Sequence, residues 1–388
     1  MVSPTPLCVA NTTFALALLN ELSCNDTTAN VFFSPFSIFS ALAMVMMGAR
    51  GNTAAQMSEC LKTRDVLEDV HSSLAQLLGE LNKADAPYAL SVANRLYGEQ
   101  SYRFDEQFLR GTRKHYNAEL ESVDFIKSFE AARLNINSWV EEKTQGKIKD
   151  LLAQGVLDNM TRLVLVNAMY LKGNWNEKFD EYDTRDAHFR INQNETKPVK
   201  MMHQTSRFPF TFIPEANCQI LEMPYEGKEL SMLIFLPNDM KEGTTGLEKL
   251  ERKLTYENFV KWTRPDMMDV TNVKVGLPRF KMEENYDMKS VLISMGMVDA
   301  FDISRSDFSG MSPANELVLS KVFHKAFLEV NEEGTEAAAA SAITFRLTSG
   351  ILYLVPPPTF IADHPFLFFI RHNPSMSILF AGRYCSPE

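Results

Sequence analysis

Histidine and cysteine often act in catalysis or bind metal ions, but neither type is clustered in this chain of 388 residues. The seven histidines show no close pair with metal-ligand spacing: His71, His115, His188, His203, His324, His364 and His372. The five cysteines are odd in number and include no C-x-x-C pair: Cys8, Cys24, Cys60, Cys218 and Cys385. These spacings argue against a zinc site or a disulfide framework and fit a reducing compartment, so we expect no bound metal.

The sequence also lacks the common signatures of catalytic and nucleotide-binding sites. It contains no G-x-S-x-G, H-E-x-x-H, G-x-x-x-x-G-K-[ST], G-x-G-x-x-G or D-x-D-x-D-G motif. An enzymatic activity is therefore unsupported, and we expect no cofactor.

The charge of the chain limits its partners. The formal net charge is -10, and no dense run of Lys and Arg is present. Nucleic acid, heparin and acidic membranes are therefore not expected as partners. The first eleven residues lack the basic and long apolar regions of a cleaved secretory signal, and the uncharged stretch 31–49 is interrupted by Pro35. We expect a soluble, monomeric protein that does not span a membrane. The cytoplasm is its expected location, and a nucleocytoplasmic distribution or release without a classical signal peptide are the alternatives.

The spacing of apolar residues predicts mainly helices in the first part of the chain and mainly strands in the second. Helices are predicted over residues 13–22, 37–48, 68–81, 129–149 and 288–297. Strands are predicted over residues 162–170, 219–223, 230–236, 273–280, 317–330, 365–370 and 375–382. This order indicates an α+β fold, and the lack of a linker favours one domain over residues 1–388.

One segment, from Asn331 to Phe345, does not fit an ordinary helix or strand. Its four consecutive alanines after an acidic turn favour a helix, because Ala has the highest helix propensity. The β-favouring residues 343–345, followed by Gly350 and three prolines at 356–358, oppose a helix. We interpret the segment as the start of a long loop.

This segment, followed by Ala-Asp-His-Pro-Phe-Leu-Phe at 362–368, resembles the reactive loop of a serpin. Other family-like motifs follow in the family's order: Asn-Val-Phe-Phe-Ser-Pro-Phe-Ser from Asn30, Asn-Ala-Met-Tyr-Leu-Lys-Gly-Asn-Trp from Asn167, Leu-Pro-Arg-Phe from Leu277 and His-Lys-Ala-Phe from His324. The chain is identified as a member of the ovalbumin-like intracellular clade. The resemblance implies an α+β serpin fold, with helices packed on three mostly antiparallel β-sheets and an exposed reactive loop at about 332–361.

The resemblance also implies a function. A serpin is attacked as a substrate by a serine or cysteine protease, and its cleaved loop then enters the main sheet and traps the covalent acyl-enzyme. Elastase-like or chymotrypsin-like enzymes are the expected targets. The alternative is a non-inhibitory serpin that serves as a storage, chaperone or chromatin-binding protein, and the small residues of this hinge favour the inhibitor.

Ten residues form the expected hinge: Glu332, Glu333, Gly334, Thr335, Glu336, Ala337, Ala338, Ala339, Ala340 and Ser341. In a strand, side chains alternate between faces, so Thr335, Ala337, Ala339 and Ser341 are expected to point into the protein. Glu336 is expected on the other face. A charge on the inward face would slow insertion.

Six further residues are implied by the resemblance. Glu332 is expected to pair with Arg279, and Trp175 is expected to pack where the loop enters. A hydrogen-bonded shutter under the sheet is expected from four others: Ser34, Ser37, Asn167 and His324. We hypothesise that protonation of His324 biases sheet opening below about pH 6.5.

In the family that this chain resembles, the attacked bond usually follows the seventeenth residue counted from the hinge Glu, so the resemblance implies a bond between Thr348 and Ser349. Thr348 suits an elastase-like pocket. Other registers remain open: Arg346 suits a trypsin-like enzyme, Leu347 or Phe345 a chymotrypsin-like or cathepsin-like enzyme, and Leu352 or Tyr353 becomes available if the register slips.

Overall fold

Helices form where apolar residues recur at helical spacing, and polar side chains cap the first turn of several of them. In the described part of the chain they are α1 (Pro6–Cys24), α2 (Pro35–Met46), α3 (Gly51–Cys60), α4 (Val70–Leu81), α5 (Glu106–Tyr116), α6 (Phe125–Lys143), α7 (Leu247–Lys253), α8 (Tyr256–Thr263) and α9 (Lys289–Ser294). Ser34 caps α2 by accepting from the Ser37 amide, and Pro35 fits the first turn. Asp105 caps α5 in the same way.

The structure is a computed structural model that describes residues 4–24, 26–64, 66, 69–238, 244–313, 316–335 and 356–387. Several predicted functional residues therefore lie outside the described residues: Glu336, Ala337, Ala338, Ala339, Ala340, Ser341, Phe345, Arg346, Leu347, Thr348, Ser349, Leu352 and Tyr353.

The strands follow the same chain order. Within the described residues they are β1 (Val31–Phe33), β2 (Tyr88–Glu99), β3 (Leu120–Val123), β4 (Leu163–Asn174), β5 (Arg185–Arg190), β6 (Thr196–Ile213), β7 (Cys218–Pro224), β8 (Leu230–Pro237), β9 (Asp269–Pro278), β10 (Phe280–Asp287), β11 (Leu319–Val330), β12 (Gly334–Thr335), β13 (Thr359–Ile361), β14 (Phe366–His372) and β15 (Ser377–Tyr384).

These strands form two hydrogen-bonded sheets rather than the three predicted. One sheet has the order β10-β11-β12-β4-β2-β3, and the other has the order β1-β15-β14-β8-β7-β6-β9-β13 with β5 paired to β6. The difference arises because β6 is 18 residues long. Its first part pairs with β5 and β9, whereas its end pairs with β7, so it joins two groups of strands. Most pairings are antiparallel, as predicted.

One parallel pairing lies at the centre of the six-stranded sheet. Strands β4 and β11 pair from Leu163 opposite Leu319 to Tyr170 opposite Phe327, with one register shift between Leu319 and Lys321. Beyond that point β12 lies between them and pairs antiparallel with both. We call this β4–β11 pairing the seam, and it ends in a fork that already holds Gly334 and Thr335.

The two faces of this sheet contact different hydrophobic cores. The larger core contains α1, α2 and the nine-stranded sheet, together with Met169 and Leu328 of the seam. The smaller core packs α6 and apolar residues 148–157 against the other face, where it contacts Tyr170 and Phe327. The seam is therefore covered on both faces.

Helix α6 has different bounds from those that the sequence predicts. The predicted helix 129–149 is wrong at both ends, because α6 runs from Phe125 to Lys143. Its C-terminal end is set by Gln145 and Gly146, which adopt positive φ angles of 53° and 77°.

Helix α1 meets the length and composition expected of a membrane span, but 61% of its most apolar window is buried inside the protein. A buried core helix has the same properties.

Candidate functional site

The residues before the fork are held by the segment that follows β4. The Trp175 amide donates to the Glu333 carbonyl at 2.8 Å, and the Phe179 amide donates to the Glu332 carbonyl at 3.0 Å. The Trp175 indole Nε1 donates to the Asn331 carbonyl at 3.0 Å. Three hydrogen bonds to consecutive carbonyls therefore fix the chain immediately before the loop.

Asn331 also shapes this turn with its side chain. Its Oδ1 accepts from the amides of Glu333 at 3.0 Å and Gly334 at 3.2 Å. This is an Asx-type turn, in which the amide side chain replaces a backbone acceptor. Lys178 adds an ion pair to Glu333 at 2.5 Å.

Glu332 forms the more buried of the two ion pairs of the site. Its side chain is only 5% exposed, and its carboxylate lies 2.7 Å from Arg279 Nε through either oxygen. The Thr184 hydroxyl also donates to it. Burial raises the pKa of Glu332, but the hydrogen bonds from Arg279 and Thr184 outweigh it and hold the pKa below its usual value.

Gly334 and Thr335 enter the sheet at the fork. Gly334 has a φ of 150°, and a Cβ there would lie 2.1 Å from the Gly173 carbonyl oxygen. The close approach of the neighbouring strand therefore excludes any side chain at this position. Thr335 is fully buried, and its side chain interacts with Tyr225, a residue of the larger core.

Trp175 lies beside the fork and is 2% exposed. Its ring stacks on Tyr225 with centroids 4.6 Å apart, and a backbone bridge joins the two residues. Tyr225 also contacts the position of Gly173. The aromatic pair supports the strand edge against which the loop begins to pair.

A buried polar network crosses the larger-core face of the seam. The Ser37 hydroxyl donates to Asn167 Oδ1 at 2.7 Å, and the Asn167 Nδ2 group donates to the Ser37 carbonyl at 3.2 Å. The Ser34 hydroxyl donates to the Leu379 carbonyl at 2.7 Å. The network joins α2 to β4 and β15.

His324 completes this network from β11. Its Nε2 accepts from the Ser34 amide at 3.0 Å, and its Nδ1 lies 2.7 Å from Asn167 Oδ1. The ring is therefore neutral with its proton on Nδ1. Complete burial lowers the pKa of His324 to about 3. Because Asn167 and His324 face each other across the seam, their bond closes the two strands together.

The structure thus gathers the described candidates into two groups. Glu332, Arg279 and Trp175 meet at the fork, with Glu333, Gly334 and Thr335. Ser34, Ser37, Asn167 and His324 meet further along the seam.

Sequence reasoning did not identify Thr184, Lys178, Asn331 or Tyr225. Only Asn331 carried a usable local signal, because Asn before Glu-Glu-Gly is typical of an Asx turn.

The described residues contain no group of three or more His, Cys, Asp or Glu side chains arranged to hold a metal ion. What this arrangement can do is mechanical: a parallel pair of strands is held closed by side-chain hydrogen bonds, and a strand has begun to enter at one end.

Comparisons with known proteins agree with this geometry. Residues 9–387 match the family model described as Serpin (serine protease inhibitor). The chain is 54% identical to the leukocyte elastase inhibitor of Equus caballus over 98% of this chain and 99% of that protein. It is also 54% identical to Serpin B6 of Macaca fascicularis over the same shares. The crystal structure of uncleaved ovalbumin superimposes with a TM-score of 0.90 at 36% identity, over 98% of this chain and 100% of that one. The chain therefore belongs to the serpin family.

Proposed function

We propose that this serpin is a suicide-substrate inhibitor of serine proteases, with cysteine proteases as a further class of target. A protease attacks the loop between β12 and β13, and the cleaved loop enters the seam as a new strand. The acyl-enzyme moves with the loop before it is hydrolysed, and a covalent complex remains. The protein itself is not an enzyme.

The observation that carries this proposal is the fork. Thr335 pairs with Val330 of β11 and with Gly173 of β4. Continuing this register would place Ala337 between Leu328 and Leu171. Entry of the loop would convert one parallel pairing into two antiparallel ones, which adds backbone hydrogen bonds along the seam.

The same register supports the hinge assignment. Ala339 would lie between Ala326 and Met169, and Ser341 would lie between His324 and Asn167, where a hydroxyl can join the polar network. Ala326 and Met169 are fully buried. Small uncharged side chains suit such positions, because an unpaired charge there would cost several kcal/mol or more.

On the opposite face of the sheet, the inserted side chains would meet two different environments. Ala338 would lie between Phe327 and Tyr170, which contact the smaller core under α6. Residues 336 and 338 therefore meet different surroundings: Glu336 would lie level with the exposed residues Glu329 and Lys172.

The proposed target bond is Thr348–Ser349, with Arg346 and Leu347 as alternative specificity residues. A small β-branched residue suits elastase-like enzymes, and the name of the Equus caballus relative, leukocyte elastase inhibitor, supports the same class. Chymotrypsin-like enzymes are the second class.

We further propose one domain over residues 1–388, with a reactive loop at about 332–361, acting as a monomer in the cytoplasm. The protease is its partner. The continuous larger core, which includes residues from α1 to Cys385, supports a single domain.

The test is to incubate the protein with elastase, chymotrypsin, trypsin and a cathepsin, followed by denaturing gels and intact mass spectrometry. We expect a complex that survives denaturant and a released peptide that begins at Ser349. A different new N-terminus would reassign the specificity residue. Cleavage by every enzyme without a stable complex would contradict the inhibitory function.

A further inference from the structure

A second surface lies beside the C-terminal end of the loop. Strand β13 is parallel to β9, with Thr359 opposite Lys274 and Ile361 opposite Gly276. Strand β6 flanks β9 on its other side, with His203 opposite Gly276 and Arg207 opposite Asn272. The loop therefore ends in a sheet region whose outer side chains are accessible.

Four basic side chains lie on one face of this region. Paired residues on neighbouring strands point to the same side, so the register places Arg185, His203, Arg207 and Lys274 together. A Cβ at Gly276 would contact both Ile361 and His203, which agrees with this arrangement. We call these four residues the cationic face.

The other side of the same strands is apolar and faces the interior. Its members are Met202, Val275, Leu277 and Phe360, and all of them are buried. The cationic face is consequently the solvent side of the sheet. Arg185, Arg207 and Lys274 are exposed there, and His203 is half-buried between them.

The cationic face is poorly neutralised by its surroundings. In the described part of the chain none of Arg185, Arg207 and Lys274 forms an ion pair with a carboxylate, and Arg207 donates a hydrogen bond to the Val270 carbonyl. Burial lowers the pKa of His203, and the positive charges of Arg185 and Lys274 lower it further, against the opposing charge of Asp183. A concentration of positive charge is unusual on a chain whose net charge is -10.

The position of the face suggests its occupant. In the proposed function the bond Thr348–Ser349 is held in a protease active site, and the residues after that bond lead into β13. The ten residues 349–358 span at most about 35 Å, so the enzyme must lie over this end of the molecule. The part of the protease surface that lies beside the residues after the bond is the part nearest to the cationic face.

We propose that the cationic face is a docking surface for an acidic patch on the target protease, located next to the cleft that holds the residues after the cleaved bond. This inference rests on the proposed function and adds a partner surface to it. The attraction acts before cleavage, so it raises the association rate and leaves the later trapping step unchanged.

The experiment compares native chymotrypsin with succinylated chymotrypsin, which share an active site and differ in surface charge. Association rate constants are measured at low and high salt for the wild-type chain and for a triple variant, Arg185→Gln, Arg207→Gln and Lys274→Gln. With the succinylated enzyme at low salt, we expect the variant to associate about ten-fold more slowly than wild type. With the native enzyme the difference should be small, and the number of inhibitor molecules used per complex should not change.

A matched control removes the same charge elsewhere. Arg110, Arg113 and Lys114 are exposed on α5, which packs against α4 and α2. Their triple change to Gln should leave the rate with the succinylated enzyme within about two-fold of wild type, because screened charges at a distance contribute little. The proposal would be overturned if this control lost as much of its association rate as the cationic-face variant, or if the cationic-face variant lost none.

Two further measurements separate the possible results. Binding of each chymotrypsin with its catalytic serine converted to dehydroalanine tests docking even if no covalent complex forms, in which case the proposed function fails and the docking surface is judged alone. Heparin binding is measured in parallel. If the cationic-face variant loses heparin binding while its protease association is unchanged, the face is a polyanion site and the proposal is wrong.

Discussion

Protonation of His324 should weaken closure of the seam. The neutral ring donates from Nδ1 to Asn167 and accepts at Nε2 from the Ser34 amide. A second proton, on Nε2, would face that amide proton directly, so one hydrogen bond would be replaced by a repulsion. Because the pKa of His324 is lowered in the closed sheet, closure is fully favoured above about pH 6.5 and is progressively lost as the pH falls toward 3.

The size of this effect follows from the two pKa values. In an opened sheet where the ring meets water, its pKa returns to about 6.5, whereas in the closed sheet it is about 3. Each pKa unit corresponds to about 1.36 kcal/mol. At about pH 5 the free energy needed to open the sheet is therefore lower by about 2 kcal/mol. The opened population should then rise about 30-fold relative to neutral pH.

The assay follows polymer formation at fixed temperature between about pH 5 and pH 7.5, for wild type and His324→Gln. Gln retains a donor for Asn167 and an acceptor for Ser34 but does not titrate in this range. We expect a steep rise in the wild-type rate below pH 6.5 and a shallow profile in the variant. His188→Gln, at an exposed position on β5, is the control. Equal pH profiles for wild type and His324→Gln would refute the reasoning.

Two other predictions concern the hinge. Ala337→Lys should convert the inhibitor largely into a substrate, because a buried charge costs several kcal/mol, whereas Glu336→Lys adds the same side chain on the accessible face and should still form complex. Denaturing gels measure the ratio of covalent complex to cleaved inhibitor. The same ratio for both variants would contradict the proposed register. Gly334→Ala should lower the heat stability of the uncut protein, because a Cβ there meets a backbone carbonyl at 2.1 Å. An unchanged melting temperature in a thermal scan would show that the fork relaxes around the methyl group.

Elements with regular apolar spacing were the most predictable from the sequence. Leu74, Leu77 and Leu81 mark one face of α4, and the structure buries all three. Strand β6 is not predicted from the sequence, because Pro198 and Pro209 lie within it and its polar and apolar residues do not alternate regularly. The proline positions are tolerated because the strand changes partners along its length.

The site was predictable only in part, and for a physical reason. The pairing of Glu332 with Arg279 was implied by family resemblance, and the structure brings these residues together. Thr184 and Lys178 contact the same turn from about 150 residues earlier in the chain, with no local pattern that links them to it. Long-range contacts of this kind depend on sheet topology, which residue spacing does not specify.

The two ends of the reactive loop are fixed in different sheets, Thr335 in the fork and Thr359 against β9. Entry of residues 336–348 as a strand would carry residue 348 about 43 Å along the seam, whereas residues 349–358 reach back at most about 35 Å. Entry beyond the reach of residues 349–358 requires a broken chain or the loss of β13 from its sheet. A broken chain is not rejoined, so each molecule acts once. Protection in a cell would then depend on copy number and resynthesis, as for a consumed reagent rather than a recycled one.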